Sequence, residues 1–399
     1  MNSSMKQESE LKLTGYKICF YITIISNLIL YIAQPFNITI LETLASRCLM
    51  LCNLAAFTFA ILQSMKHYVP YKTVQIVTIF FMISFACVSF LLSSSGGIYN
   101  LIIRLWCYLA LPIYFLYIDY LEPEKKLFHF IFAVNFITSL IFIYLSFSSY
   151  SYKGYEGYLG TANAWLTLGY ENPNQTAMYL LINLIVLLCA LYYYKKKVIK
   201  IILLFDLLFI GWLIIQTSSR TCILIGLLVI VISIFKKKYK IKRYIVVGIL
   251  IIPLIFMIIY PLLYDKGWLY FFEFVGKADY SSRSYIFKSA IASVRNQFMF
   301  GDFGRYQLQN IHNGPLSVYT SLGLVGLILF YIYYYRAYFH ILSKGMKSRV
   351  AFISVIGLLS VFLHACSESA FIIGGSMFAG SLSTLIFMTK LEGKEVHKD

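Results

Sequence analysis

The chain has 399 residues, of which 60% are hydrophobic and only 13% charged, and its formal net charge is +17. A soluble protein of this length would carry about a quarter charged residues and could not bury so much apolar surface, so the composition excludes a soluble globular domain and indicates a polytopic membrane protein. The Lys and Arg residues fall in short clusters between apolar runs, which indicates membrane topology and not nucleic-acid binding.

Apolar runs long enough to cross a bilayer recur along the whole chain. They predict an all-α membrane protein with about twelve transmembrane helices, and residues 1–399 form a single membrane domain in this interpretation. Every second connection is basic, as in KKK at Lys195–Lys197 and KKKYKIKR at Lys236–Arg243. Because cytoplasmic connections carry the excess of Lys and Arg, we expect both termini to be cytoplasmic.

The first of two large outer loops is predicted at residues 148–175. It ends in GYENPNQTAMYLL, where Asn172-Pro173-Asn174 is a turn or helix-start signal before the sixth span. The two asparagines either cap this helix or contribute to a site, and the sequence leaves both interpretations open.

The seventh span ends in QTSSRTCILIG, which places Arg220 between two long apolar runs. An arginine held at the membrane boundary by a tight turn either extends to lipid phosphates or points into a protein cavity. Few basic residues are expected on the outer face, which favours a dedicated role for Arg220.

The second outer loop is predicted at residues 264–314 and contains SSRSYIFKSAIASVRNQF. Its apolar residues recur at helical spacing, which predicts a short amphipathic helix capped by Ser281 or Ser282. Arg283 would lie in the first turn, where the helix dipole disfavours a cation. A bound anion such as a phosphate would offset that cost, whereas the alternative is a solvated arginine on a loop.

The pair His312-Asn313 ends this loop and precedes the tenth span. Histidine can transfer protons near neutral pH, and asparagine can both donate and accept hydrogen bonds. Gly323 and Gly326 give the following span a small-residue face for close helix approach. A lone histidine at an interface is more often a packed residue than a catalyst, but its occurrence on the same side as Arg220 favours a site.

Two arginines and a histidine at an outer membrane surface suit one reaction class. Guanidinium groups bind phosphate oxygens and could neutralise a leaving diphosphate, while the histidine activates an incoming hydroxyl. The outer loops lack a DxD-like acidic pair, since their acidic residues are spaced singly, and this predicts a reaction without a metal ion or other cofactor. Examples of singly spaced acidic residues on the predicted outer side are Glu171, Asp279, Asp302 and Glu368.

In these motifs the chain resembles the O-antigen polymerases and ligases of bacterial surface-polysaccharide assembly, the Wzy and WaaL type. The matching features are the NPN before a span, the S-R-T turn at Ser219–Thr221, the arginine opening the loop helix, and HN followed by the G-x-x-G of Gly323 and Gly326. The similarity covers roughly residues 150–330, with a family-like core at 176–330, while the first five spans match only in hydropathy.

The resemblance implies a helical architecture like that of the GT-C lipid-carrier-dependent glycosyltransferases, in the bacterial cytoplasmic membrane, with the active site facing the periplasm or cell exterior. It implies undecaprenyl-diphosphate-linked oligosaccharides as donor and acceptor, with membrane lipids, a chain-length regulator and a flippase as further partners. By position, Arg220 and Arg283 are similar to the diphosphate-binding arginines, and His312 to the histidine proposed to activate the acceptor or to contact phosphate. Further substrate-binding candidates are Arg295, Arg305, Asn313, Asn172 and Asn174.

Polymerase and ligase differ within this resemblance. The ligase-like pattern has an acidic residue soon after the His-Asn pair, whereas this chain reads HNGPLSVYTSLG. Its outer loop is also short for an enzyme that must accept a lipid A core sugar. We therefore expect a polymerase of O-antigen, capsule or exopolysaccharide repeat units, with an O-antigen ligase as the alternative.

A transporter or flippase for lipid-linked oligosaccharides is the alternative outside enzymes. Transporters concentrate polar groups and broken helices near the membrane midplane. Asp206 lies within the seventh span, where an ionisable group is a functional candidate, although an ordinary pairing with Lys200 or another inner lysine would also explain it. A transporter would depend on Asp206, whereas the enzyme would depend on Arg220, Arg283 and His312.

Overall fold

The computed structural model describes residues 3–66, 68–93, 98–148, 152–154, 164–170, 172–235, 241–265, 281–303, 311–366, 368 and 376–391. Its helices are α1 (Ser3–Ala33), α2 (Thr39–Lys66), α3 (Pro70–Ser93), α4 (Ile98–Ile118), α5 (Lys125–Ser146), α6 (Pro173–Tyr193), α7 (Lys197–Gln216), α8 (Arg220–Phe235), α9 (Arg243–Asp265), α10 (Ser281–Ser293), α11 (Gly314–Ser343), α12 (Arg349–His364) and α13 (Ser376–Met388). A short 3-10 helix follows α10 at Arg295–Gln297.

The described residues include nine helices that are long and apolar enough to cross a membrane. Three shorter apolar helices lie at Arg220–Phe235, Arg349–His364 and Phe378–Met388. This confirms the prediction of a predominantly helical, polytopic membrane protein. The number of spans and the cytoplasmic termini stay predictions.

Helix α6 lies at the centre of the bundle, since 83% of the residues in its most apolar 18-residue segment are buried. It packs against α5, α7, α8 and α12. By contrast, only 28% of the corresponding segments of α2 and α9 is buried, so most of their side chains are at least partly exposed on the outside of the bundle. An apolar exterior of this kind is suited to lipid, because hydrocarbon imposes no penalty on exposed Leu, Ile and Phe.

A small antiparallel ribbon forms part of the first predicted outer loop. Strand β1 (Tyr152–Gly154) pairs with β2 (Ala164–Leu166), with Lys153 opposite Trp165. The all-α prediction did not include this ribbon. Aromatic residues favour extended, half-buried backbone, but two strands of three residues are too short for a periodicity to be recognised.

Helix α11 is broken at Gly323, which has φ 67° and ψ −170°. The break frees backbone groups that the preceding segment satisfies: Leu324 N donates to Phe298 O at 2.8 Å, and Asp302 N donates to Thr320 O at 2.7 Å. A Cβ on Gly323 would lie 2.2 Å from Met299 O, so only glycine permits this approach. The predicted small-residue face therefore serves a docked loop segment together with a break in the helix.

Candidate functional site

The start of α6 forms one wall of the candidate site. Asn172 is the N-cap residue, and its side-chain oxygen accepts from Asn174 N at 2.8 Å. Pro173 occupies the first helical position, where its missing N–H costs nothing. This confirms the predicted helix start, and it assigns Asn172 to capping while leaving the side chain of Asn174 available for another partner.

The start of α11 is anchored in the same region. Asn313 is fully buried, and its side-chain oxygen caps α11 by accepting from Leu316 N at 2.9 Å. Its amide group lies 3.3 Å from Cys366 O, and Gly314 N donates to Ala365 O at 2.9 Å. These bonds attach the start of α11 to the end of α12, so Asn313 holds the framework of the site.

Glu368 joins the two helix starts through its carboxylate. His312 Nδ1 lies 2.9 Å from one carboxylate oxygen, and Asn174 Nδ2 donates to the other at 3.2 Å. The position of Glu368 is itself fixed, because its backbone N–H donates to His364 O at 3.1 Å. The structure thus brings together His312 and Asn174, two residues selected from the sequence, through an acidic residue that was not selected.

The hydrogen bond to Glu368 defines the tautomer of His312. An ionised carboxylate only accepts hydrogen bonds, so a neutral His312 carries its proton on Nδ1. The lone pair then lies on Nε2, which is the arrangement of a general base whose orientation is set by a carboxylate. The His312 side chain is 29% exposed, whereas that of Glu368 is 14% exposed, so the imidazole is the more accessible of the two.

Helix α8 begins at Arg220 beside the same region. Two residues later, Cys222 Sγ lies 3.3 Å from Nε2 of His364, whose backbone oxygen holds Glu368. Arg220 is half-buried, as expected for an arginine at the mouth of a bundle. The starts of α6, α8 and α11 therefore converge here, and their positive dipole ends act in the same direction as the Arg220 guanidinium.

Helix α10 packs next to His312 through an apolar contact. Phe287 and Ala290 are buried against α9 and against Ile311 and Leu316, which flank His312 and Asn313. The short helix predicted within residues 264–314 is therefore present, although Ile291, one of the apolar residues expected on its buried face, is exposed.

The structure describes the three site arginines predicted in the second outer loop to different extents. Arg283 is in the first turn of α10 as predicted, one helical turn before Phe287, but its side chain lies outside the described part of the structure. Arg305 lies outside the described residues altogether. Arg295 is exposed in the 3-10 helix after α10. Of the predicted cations, Arg220 is thus the one that the described structure connects to Glu368, through Cys222 two residues later and His364.

Glu368 is the residue that sequence reasoning missed. It was recognised only as a single acidic residue, because it lies 56 positions from His312 and belongs to no motif with it. Its one sequence signal is its location just after a span, on the predicted outer side. Within the described ranges, no group of three or more His, Cys, Asp or Glu side chains could hold a metal ion.

Comparison with known proteins does not identify this chain. No protein-family model matches the sequence, and no curated protein is significantly similar to it.

Proposed function

We propose that the chain is a bacterial membrane glycosyltransferase that polymerises surface polysaccharide. In this reaction the growing glycan on undecaprenyl diphosphate is transferred to a lipid-linked repeat unit at the outer face of the membrane. The observation that supports it most strongly is the His312–Glu368 pair, which gives a histidine whose Nε2 has no hydrogen-bond partner among the described residues, close to the starts of α6 and α11.

The chemistry follows from the roles of these groups. His312 Nε2 takes the proton of the acceptor hydroxyl as that oxygen attacks the anomeric carbon of the donor sugar. The bond from this carbon to the diphosphate oxygen breaks, and the diphosphate leaves with the electron pair. Arg220 and the helix starts stabilise the developing negative charge, and the resemblance assigns Arg283 to the same task. Glu368 stabilises the imidazolium that forms, so it acts as a positioning residue.

Reconstitution of the purified protein with a lipid-diphosphate-linked repeat unit tests the proposal directly. Wild type should produce a ladder of glycan lengths, and Arg220→Ala and His312→Ala should each lower the rate by about 100-fold or more. Two matched controls lie away from the site: Arg47→Ala changes an exposed arginine on α2, and His129→Ala changes an exposed histidine on α5. A ladder that survives His312→Ala, or one that both controls abolish, would contradict the proposal.

The ligase alternative predicts a different product from the same experiment. A preformed glycan would pass to an added lipid A core acceptor, without any ladder from repeat units alone. The site would contain the same groups in either case, because both reactions release the same diphosphate. The acceptor therefore has to be varied to separate them.

A transporter is the second candidate, and Asp206 is the observation that favours it. Asp206 is buried in α7, where one carboxylate oxygen accepts from Ser139 Oγ at 2.6 Å. Its other oxygen, Oδ1, is buried and has no hydrogen-bond partner among the described residues. The expected pairing with Lys200 is therefore replaced by a hydroxyl, which leaves a carboxyl group in the bundle interior as a candidate for ion coupling.

Substitution of Asp206 separates the transporter from the enzyme. A transporter would lose movement of lipid-linked oligosaccharide across vesicle membranes in Asp206→Asn, whereas the polymerase would retain its ladder. The broken helix α11, another feature of transporters, provides no comparable support, because the 298–302 segment satisfies the backbone groups freed around Gly323.

A further inference from the structure

A cavity lies at the far end of the 30-residue helix α11 from His312. Its volume is about 320 Å³, and its walls come from the adjoining ends of α3, α4, α11 and α13. A water molecule takes up about 30 Å³ of liquid, so the space is large enough for a small charged group with part of its hydration shell. Nothing in the proposed glycosyl transfer uses this cavity.

One carboxylate, Asp119, lies at the centre of the charged wall. One of its oxygens accepts from Lys344 Nζ, and the other lies 3.3 Å from His340 Nε2 and 3.5 Å from Lys72 Nζ. Burial raises the pKa of Asp119, but the hydrogen bonds from His340 and Lys344 and the charges of Lys344 and Lys72 outweigh it and hold this pKa well below its usual range. Asp119 is therefore ionised at neutral pH.

Positive charge exceeds negative charge around this cavity. The cations in and beside its wall are Lys72, Arg336, Lys344, Lys347 and Lys390. They face two carboxylates, Asp119 and Glu122. Three helices end at the cavity and one begins there. Because a helix dipole is negative at its C-terminal end and positive at its N-terminal end, these four ends together add about one further negative charge. Lys347 has a partner of its own, so the four other cations leave about one positive charge uncompensated among the described residues, without counting His340.

Two of these lysines, Lys72 and Lys390, differ from ordinary lysines of a positively charged membrane face, whereas Lys344 and Lys347 are exposed at the edge of the cavity. Such lysines extend into water, where their charge costs little. Here the Lys72 side chain is only 11% exposed, and Lys390 Nζ is directed inward, donating to Ile118 O and Asp119 O at 3.1 Å. Burial lowers the pKa of Lys390 to about 8, so its charge is held in the cavity wall at a cost that a bound anion would offset.

Two neighbouring groups fix the shape of the wall. The imidazole of His340 stacks on the ring of Tyr71 with 3.7 Å between centroids, which orients Nε2 toward Asp119. Arg336, one helical turn before His340, has a buried Nε without a hydrogen-bond partner in the described part of the chain. Asp119 thus holds the wall together, and it cannot neutralise the cations that surround it.

We propose that this cavity binds a phosphate group, carried either by an anionic lipid headgroup or by a soluble phosphorylated molecule. Lysine ammonium groups bind phosphate as point charges, and the ends of the helices place the cavity at the level of a membrane surface. The proposal does not depend on the proposed enzymatic function, because the two sites occupy opposite ends of α11.

The test uses full-length protein and two phosphate sources. In the first arm, inorganic phosphate is titrated into protein in detergent and the unfolding temperature is measured. In the second arm, the unfolding temperature in nanodiscs of phosphatidylglycerol is compared with that in nanodiscs of phosphatidylcholine. Binding to the folded state should raise the unfolding temperature. The double variant Lys344→Gln/Lys347→Gln should bind at least about tenfold more weakly, since each charge-assisted contact is worth about 1.5 kcal/mol or more. Lys195→Gln/Lys196→Gln removes the same charge from exposed lysines elsewhere and should behave as wild type.

The two arms distinguish the sources of the phosphate. Stabilisation by inorganic phosphate identifies a soluble ligand, and stabilisation by phosphatidylglycerol alone identifies a lipid headgroup. No stabilisation in either arm, or an equal loss in both double variants, would overturn the proposal. If the first double variant does not fold, the single variant Lys347→Gln takes its place, because Lys347 lines the cavity and is not among the groups that bind Asp119 directly.

Discussion

Replacing Glu368 by glutamine should inactivate the proposed enzyme while leaving its fold intact. Glu368 accepts from His312 Nδ1 at 2.9 Å and from Asn174 Nδ2 at 3.2 Å. Glutamine offers only one oxygen and one NH₂ group in the same space. If the oxygen stays with Asn174, the NH₂ group faces His312 and requires Nδ1 to accept. The histidine proton then moves to Nε2, and the proposed base loses the lone pair that it needs.

The expected magnitudes follow from this exchange. Loss of a general base lowers the rate by roughly 10²- to 10⁴-fold. The number of hydrogen bonds is unchanged, so the free energy of unfolding should shift by no more than about 1 kcal/mol. Asn174→Ala is the matched control, because it removes one hydrogen bond to the same carboxylate without reversing the tautomer of His312. Its rate should fall by about tenfold or less.

Two measurements check this reasoning. Glycan ladders from reconstituted protein give the rate, and ¹⁵N NMR of histidine-labelled protein gives the tautomer of His312 independently of activity. We expect the proton on Nδ1 in wild type and on Nε2 in Glu368→Gln. The reasoning is refuted if the variant keeps the wild-type tautomer, or if the tautomer reverses and the rate stays within about threefold of wild type.

Three further predictions concern stability and anion binding. Gly323→Ala should cost at least about 3 kcal/mol of unfolding free energy or prevent folding, because Gly323 adopts a backbone conformation almost restricted to glycine. The control is Gly248→Ala in α9, where a Cβ would meet nothing within 4 Å. This variant should be neutral or stabilising in the same thermal assay. Asn313→Ala should cost about 1–3 kcal/mol of unfolding free energy and also lower the rate of glycan elongation. Ser348→Ala removes a cap at the opposite end of the bundle and should cost about 1 kcal/mol with the elongation rate unchanged. Equal elongation rates in the two variants would contradict the role of Asn313 in holding the framework of the site. Phosphate affinity should fall about tenfold between pH 7 and pH 9, because Lys390, with a pKa of about 8, is charged at the lower pH and about nine-tenths neutral at the higher one. Lys390→Arg stays charged over this range and should lose this fall, keeping only the change that the ionisation of phosphate itself causes, so an unchanged slope in that variant would refute the assignment.

Local signals in the sequence predicted the features that depend on neighbouring residues. The apolar runs predict a helical membrane protein, because hydrocarbon requires long stretches of apolar side chains whatever their partners are. The helix start at Asn172 follows from a capping side chain that bonds to a backbone group two residues away. Such features are determined within a single turn of chain, so the sequence alone was sufficient.

The tertiary structure decided which distant groups meet. Glu368 reaches His312 across 56 positions, and Lys390 reaches Asp119 across 271, so no motif could connect them. The break at Gly323 depends on a loop segment that donates and accepts the backbone hydrogen bonds which the helix loses. Helix propensity and hydropathy describe each segment separately, whereas these contacts arise only when packing brings several helix ends to one place. The sequence by itself therefore determined a helical membrane protein with long polar loops, and the packing of its helix ends decided where the clusters around Glu368 and Asp119 lie.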